Sequence, residues 1–519
     1  MKSMYVLSII LFMYTGMLAQ NKIPQISNVT YTWIDPTTID INYDLVDPDN
    51  AALEVQLKMF YASGNMMYQE ESTISSSGDL GFPINIGSNK KIRVTLPNTN
   101  LGSKILLQIT ASDREPLLIE DILNGLEMSR LQNDLTQLQG RRNALTDASH
   151  LTKSRNYITS EMAKFLPTTE LKANVPQGNC INYMYERWGN SKPNHVYIID
   201  AHYDTFSQSP GADDNGSGVV GVMEALRLLS PYASKHTLRF LFFDLEEAGL
   251  VGSNLYVNNQ LNRFDSVKAV INFEMIGYYS NLPNTQELPT GFNQLFPEAY
   301  NAVINNQSRG DFITNTGNTF SSFLKNKFAA AAIKYVPNLK VISLEVPGNG
   351  AIVPDLRRSD HASFWDKNMA ALMITDGANF RNKNYHTTRD SIQTLNFNFM
   401  SQVIKTSIAT IAELAEVSHS TSKDIFIQIP TATNNVTSEN ALLFQSANSL
   451  VIELPEYIAD IQLHINDMTG KQILHGNLSK QLNQSFTVNL KNCKPGVYLV
   501  HIQTRNAGSM SKKIIIHPW

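Results

Sequence analysis

The spacing of apolar and polar residues changes character several times along this chain. An apolar run from Met4 to Leu18 follows Lys2 and closes at Ala19. It is too short to span a bilayer and has no stop-transfer flank, so residues 1–20 read as a secretory signal peptide. Residues 23–115 alternate apolar and polar positions in short bursts, as in VTYTWIDPTTIDINYDLVDPDN and KIRVTLPN, broken by Gly, Pro, Asn and Asp. That rhythm predicts a β-sandwich of the immunoglobulin or fibronectin type. From Leu117 to about Leu166 the apolar residues fall at helical spacing. Beyond them HVYIIDAHYD, TLRFLFFDLEE, VKAVINFEMIGY, LKVISLEV and AALMITDG are nearly continuous apolar runs, with amphipathic stretches such as SGVVGVMEALRLLSP between several of them. Strands buried on both faces and alternating with helices predict an α/β domain with a parallel core over residues 117–415. Residues 421–519 return to short strands between turns and predict a second small sandwich.

Composition narrows the function classes. The chain has 519 residues, 42% hydrophobic and 17% charged, with a formal net charge of -4 and no long basic run. Nothing in that balance points to nucleic acid or an anionic membrane as partner. After the N-terminal run no segment is apolar enough for a transmembrane span. Cys180 and Cys493 are the only cysteines. They are too few for a thiolate metal cluster and read as free thiols.

The candidate chemistry lies where strands end, the place where α/β sheets build their sites. AHYDT supplies His202 and Asp204, spaced so that Asp204 can orient the His202 ring. PGADDNGSG supplies Asp213 and Asp214 in a glycine turn ahead of a helix that Asn215 or Ser217 would cap. The run ending in Glu246 and Glu247 places adjacent carboxylates at the edge of a buried sheet, where they repel unless a cation compensates. Glu274 stands at another strand end, and NYHTTRDS adds Tyr385 and His386. Two histidines and several carboxylates without cysteine suit Zn²⁺ or a similar divalent ion. Two ions sharing a carboxylate would make a hydrolytic centre.

In their order and spacing, AHYDT, PGADDNGSGV, EEAGLVGS, NFEMIGY, RSDHASFW and NYHTTRD resemble the zinc peptidase family M28. That family includes bacterial leucyl-type aminopeptidases, glutamate carboxypeptidases and glutaminyl cyclases. The resemblance implies a mixed, mostly parallel sheet flanked by helices, and two Zn²⁺ ions per chain. It assigns His202 and Glu274 to one ion, Glu247 and His386 to the other, and Asp214 as the bridge, often followed by a cis peptide. Glu274 stands where many members have Asp. Glu246 is then the general base toward a metal-bridged hydroxide, Asp204 orients His202, and Tyr385 is a candidate donor to the oxyanion. Asp360 and His361 read as loop structure near the site.

The aminopeptidase branch is the first expectation, with peptides as substrates. Glutaminyl cyclase or carboxypeptidase activity and a metal-free binding protein are the alternatives. The segment from Tyr278 to about Pro337 is expected to shape the pocket. Residues 421–519, with DMTGKQILHGNLSKQ and GVYLVHIQTRNAGSMSKKIIIH, resemble a type IX secretion sorting domain. That resemblance implies transient engagement of an outer-membrane secretion machinery and a secreted or cell-surface protein.

Overall fold

The computed structural model describes residues 21–516 apart from 36, 64–66, 71–73, 97–103, 429–441, 447–448, 454–460, 479–484, 491–492 and 505–508. The signal peptide expected at residues 1–20 lies outside the described residues. Two compact units divide the chain, Met1–Ile427 and Gln428–Trp519.

The N-terminal part of the first unit is β-rich. One sheet joins Gln25–Asp35, Thr38–Val46, Gly87–Thr95 and Ser75–Gly78, and a second is built around Ala52–Ser63 and Lys104–Ser112. Alternate residues of Thr38–Val46 (Ile39, Ile41, Tyr43 and Leu45) are buried, as the period of a half-buried strand requires. Ser420–Gln428 joins the second sheet as the neighbour of Lys104–Ser112. Gln108 donates to Asp424 at 2.7 Å across that junction.

The rest of the unit is an eight-stranded mixed sheet with helices packed on it. Its strands are β1 (Thr169–Val175), β2 (Gly178–Arg187), β3 (Lys192–His202), β4 (His236–Phe243), β5 (Ser266–Phe273), β6 (Ile313–Asn318), β7 (Val341–Val346) and β8 (Ala371–Thr375). The spatial order is β7-β6-β8-β5-β3-β4-β2-β1. The central pairs β4–β3, β3–β5 and β5–β8 are parallel, and β6–β8 and β2–β4 are antiparallel. Every residue of β4 is buried, which accounts for its unbroken apolar run. On one side pack α1 (Met128–Leu138), α2 (Ala148–Met162), α3 (Gly218–Leu229), α4 (Ser322–Tyr335) and α5 (Phe397–Leu414), around Leu135, Ile158, Met223, Phe328 and Ile408. A second cluster around Trp365, Phe364, Tyr256 and Phe243 fills the other side. The sheet is thus mainly parallel and covered on both faces.

Register aligns the strand ends. Asp200 pairs with Asn272 and His202 with Phe243, so Glu274 follows β5 beside His202 and Glu246 follows β4 close by. Asp360 and His361 do not lie in an open loop. Both are wholly buried, and His361 opens the short helix His361–Trp365 with Nε2 2.9 Å from the Leu356 carbonyl. Among the described residues no helix is long and apolar enough to cross a membrane. Both cysteines are free and buried.

Candidate active site

The turn Gly211–Gly218 between β3 and α3 is held rigidly, and its chemistry explains why. Gly211 adopts φ +60, and a Cβ there would meet Thr205 Cγ2 at 2.3 Å. The peptide between Asp214 and Asn215 is cis. The Asn215 side chain ties the turn to the next strand end, donating to the Phe273 carbonyl at 2.8 Å and accepting from Met275 N at 3.1 Å. It also accepts from Gly218 N at 3.2 Å, at the start of α3. Ser217 Oγ accepts from Ile276 N at 2.9 Å. Asp213 is an anchor of the same kind, accepting from Gly277 N at 3.0 Å and Asn382 Nδ2 at 2.8 Å. Asp390 reaches in from the far loop to accept from Asp213 N at 2.9 Å and Asp214 N at 3.1 Å.

These anchors bring six of the eight expected site residues into two adjoining groups. His202, Glu246 and Glu274 form one, and Asp214, Glu247 and His386 the other. Asp214 faces both: its Oδ1 is 3.5 Å from His202 Nε2, and its Oδ2 is 3.1 Å from His386 Nε2. Glu274 Oε2 lies 3.4 Å from His202 Nε2 and Glu247 Oε2 lies 3.2 Å from His386 Nε2. Glu246 Oε2 is farther from His202 Nε2, at 3.8 Å.

Asp204 stands just past the end of β3 rather than within it. His202 Nδ1 lies 3.2 Å from the Asp204 backbone carbonyl and 3.4 Å from Asp204 Oδ1, while the Asp204 carboxylate accepts the backbone N–H groups of Glu246 at 3.0 Å and Glu247 at 3.1 Å. One residue therefore sets the ring of His202, through its carbonyl and carboxylate together, and the direction of the glutamate pair. Tyr385 stacks on His386 with ring centroids 3.8 Å apart, and its hydroxyl accepts from Arg358 at 2.9 Å. That leaves the hydroxyl hydrogen free to donate elsewhere.

Four residues of this site had no role assigned from the sequence, although Ser359 and Asp390 lie within the RSDHASFW and NYHTTRD motifs. Phe206 stacks on the other side of His386, centroids 4.2 Å apart. Ser359 donates to Glu274 Oε2 at 2.7 Å. Asp390 holds the turn, as described. Arg142 is fully buried, donating to the carbonyls of Tyr203, Leu138 and Gly211 at 2.6, 2.8 and 2.8 Å.

The electrostatics of the cluster call for cations. Burial pushes Glu246 well above the ordinary carboxylate range, and Glu274, Asp360 and Glu247 push the same way while His202 opposes them. Burial and the nearby Asp214 raise Glu247 to about 7. Burial opposes charge on His386, yet Asp214 and Glu247 outweigh it and raise the ring to about 9. His202 Nε2 and Glu247 Oε1 are buried with no hydrogen-bond partner among the described residues. Crowded acids around a bare imidazole nitrogen suit divalent ions bound by N and O ligands. The donor set therefore fits zinc.

A cleft beside the cluster is lined by Glu274 and Tyr385 and continues into the apolar side chains of Leu288, Phe292, Phe312 and Met373. Leu288, Phe292 and Phe312 come from the segment expected to shape the pocket.

The profile of peptidase family M28 matches residues 182–411, and that of the secretion system C-terminal sorting domain matches residues 446–517. The uncharacterized protein YfbL of Escherichia coli is 35% identical over 223 residues, covering 40% of this chain and 64% of YfbL. A probable leucine aminopeptidase of Arthroderma otae is 26% identical over 324 residues, covering 59% of this chain and 77% of its own. Among solved structures, the Legionella pneumophila LapA aminopeptidase aligns over 57% of this chain and 74% of its own at 23% identity, TM-score 0.43. The chain thus carries a peptidase family M28 domain, together with a secretion system C-terminal sorting domain.

Proposed function

We propose that this chain is a secreted dinuclear zinc aminopeptidase. The observation that carries the reading is the pair of ligand groups that meet at Asp214. His202 and Glu274 would hold one ion, Glu247 and His386 the other, with Asp214 between them. Bound there, two zinc ions supply Lewis acidity that polarises a substrate carbonyl and acidifies water.

The chain's own residues supply the remaining steps. Glu246 is set back from His202 and held by Asp204 through its backbone, so its carboxylate is placed to take a proton from the attacking water. Burial and the neighbouring acids raise its proton affinity, which favours that role. Glu246 then returns the proton to the departing amine. The Tyr385 hydroxyl, already accepting from Arg358, donates toward the developing oxyanion. The apolar lining of Phe292, Phe312 and Met373 favours a Leu-like or aromatic N-terminal side chain. Export would use a signal peptide at residues 1–20. The region 421–519, most of which matches the sorting-domain profile, would engage secretion machinery of the outer membrane. The sandwich of residues 23–115 would be an accessory module beside the peptidase domain of residues 117–415.

The test is hydrolysis of aminoacyl-nitroanilides by the full chain, before and after chelation and after zinc add-back. Activity that disappears with chelator, returns with zinc and is highest on Leu or Phe supports the reading. A folded, zinc-loaded chain that releases no nitroaniline, but cyclises N-terminal glutamine or removes C-terminal residues, overturns it.

A further inference from the structure

The second unit carries a row of histidines that has no part in the peptidase chemistry. Four of its strands form one antiparallel sheet: β9 (Ile461–Asp467), β10 (Gln472–Leu478), β11 (Gly496–Thr504) and β12 (Ser509–Ile516), in the order β10-β9-β11-β12. Leu463, Ile465, Val500 and Ile502 point into the unit's core. Strand alternation therefore sends His464 and His501 to the opposite face. The register then makes a line. His475 of β10 pairs with His464 of β9, and His464 pairs in turn with His501 of β11. Three of the chain's eleven histidines thus occupy consecutive cross-strand positions on three adjacent strands.

Their rings are close enough to act together. The centroids of His464 and His475 are 4.6 Å apart, and those of His464 and His501 are 6.2 Å apart. Two of the rings are also oriented from behind. His464 Nδ1 lies 3.3 Å from Gln472 Oε1, and His501 Nδ1 lies 2.8 Å from Ser511 Oγ. An amide oxygen only accepts, so the tautomer that satisfies this contact has the proton on Nδ1 and presents a bare Nε2. A serine hydroxyl can accept in the same way from His501. Metal-ligating histidines show this arrangement, one ring nitrogen donating to a neighbour and the other left free for the ion.

We propose that His464, His475 and His501 form a surface site for a divalent transition-metal ion such as Zn²⁺, independent of the catalytic centre. Nitrogens bound to one tetrahedral zinc stand about 3.3 Å from each other, since each Zn–N bond is about 2.0–2.1 Å. The central ring already approaches His475 closely, and a turn of the His501 side chain that gives up its Ser511 contact brings in the third nitrogen. His475 is exposed, so an ion reaches the row directly from solvent. No aspartate or glutamate is required, because neutral imidazoles are the ligands of choice for Zn²⁺, Cu²⁺ and Ni²⁺.

The test counts zinc in the full chain by equilibrium dialysis and elemental analysis. It compares the natural chain with H464Q and with the triple variant H464Q/H475Q/H501Q. The natural chain is expected to retain one zinc per chain more than either variant, and H475Q alone is expected to bind that ion at least tenfold more weakly. Peptidase activity and melting in chelator should be alike in all four proteins, which separates loss of the site from loss of the fold. Equal zinc counts in the natural chain and the triple variant would overturn the proposal, whatever the catalytic centre holds.

Discussion

Arg142 offers a quantitative test of how the turn that carries Asp214 is held. Its guanidinium is wholly buried, and burial, partly offset by the acids of the site, lowers its pKa to about 10. That displacement from 12.5 corresponds to about 3 kcal/mol of net electrostatic cost already borne by the fold. In Arg142→Met the charge-assisted hydrogen bonds to the carbonyls of Tyr203, Leu138 and Gly211 are lost, although Gly211 keeps a donor in Gly216 N. Each such bond contributes about 1.5–3 kcal/mol, or roughly 6 kcal/mol together. Removing the buried charge returns about 3 kcal/mol, leaving a net loss of about 3 kcal/mol. For a domain of this size that lowers the melting temperature by roughly 6–12 °C. Gly211 leads directly into Asp213 and Asp214, so the loss falls on the turn proposed to bind metal as well. Zinc affinity at the catalytic centre should drop about 10–100-fold, as for other residues that orient ligands. Differential scanning calorimetry and zinc competition with a chromophoric chelator measure the two effects. A variant that melts within 2 °C of the natural chain (roughly 1 kcal/mol or less) and keeps its zinc affinity would refute the reasoning.

Two further substitutions have distinct signatures. Tyr385→Phe keeps the stacking on His386 and removes only the hydroxyl, so kcat should fall about 10²–10³-fold with KM little changed; a fall in neither would place Tyr385 outside the chemistry. Burial lowers the pKa of His361 to about 3, so the folded chain keeps it neutral while the unfolded chain protonates it below about 6.5. Stability from this residue is present above pH 6.5 and declines as the pH falls toward 3, by about 2 kcal/mol at pH 5. His361→Gln removes that decline, so the stability difference between variant and natural chain should shift by about 2 kcal/mol in favour of the variant between pH 7 and pH 5. Parallel pH profiles in urea unfolding would contradict it.

Legibility in the sequence followed the physics of each element. β4 announced itself because a strand covered on both faces needs an unbroken apolar run. The ligand candidates were legible because parallel strands deliver their following residues to one edge, and His202, Glu246 and Glu274 each fall at or just beyond a strand's end. The supporting residues were not. Arg142 follows Arg141 in an ordinary polar stretch, yet one is wholly buried and the other exposed. Only the path of the chain around Gly211 separates them. Asp390 holds a turn lying far earlier in the sequence, and Ser420–Gln428 joins a sheet built from the N-terminal region, both through contacts with no local pattern. Asp360 and His361 looked like polar loop residues because a short motif does not reveal that a short helix and Trp365 seal it from solvent.

The central claim is that five residues hold two ions while Glu246 moves the proton. The direct measurement is Glu246→Gln, made in a His464→Gln background so that only the catalytic centre is counted, with zinc per chain and turnover read on one sample. Two zinc ions retained, with kcat reduced roughly 10²–10⁴-fold, is the expected result. Loss of an ion would make Glu246 a ligand, and unchanged turnover with both ions bound would remove it from the mechanism.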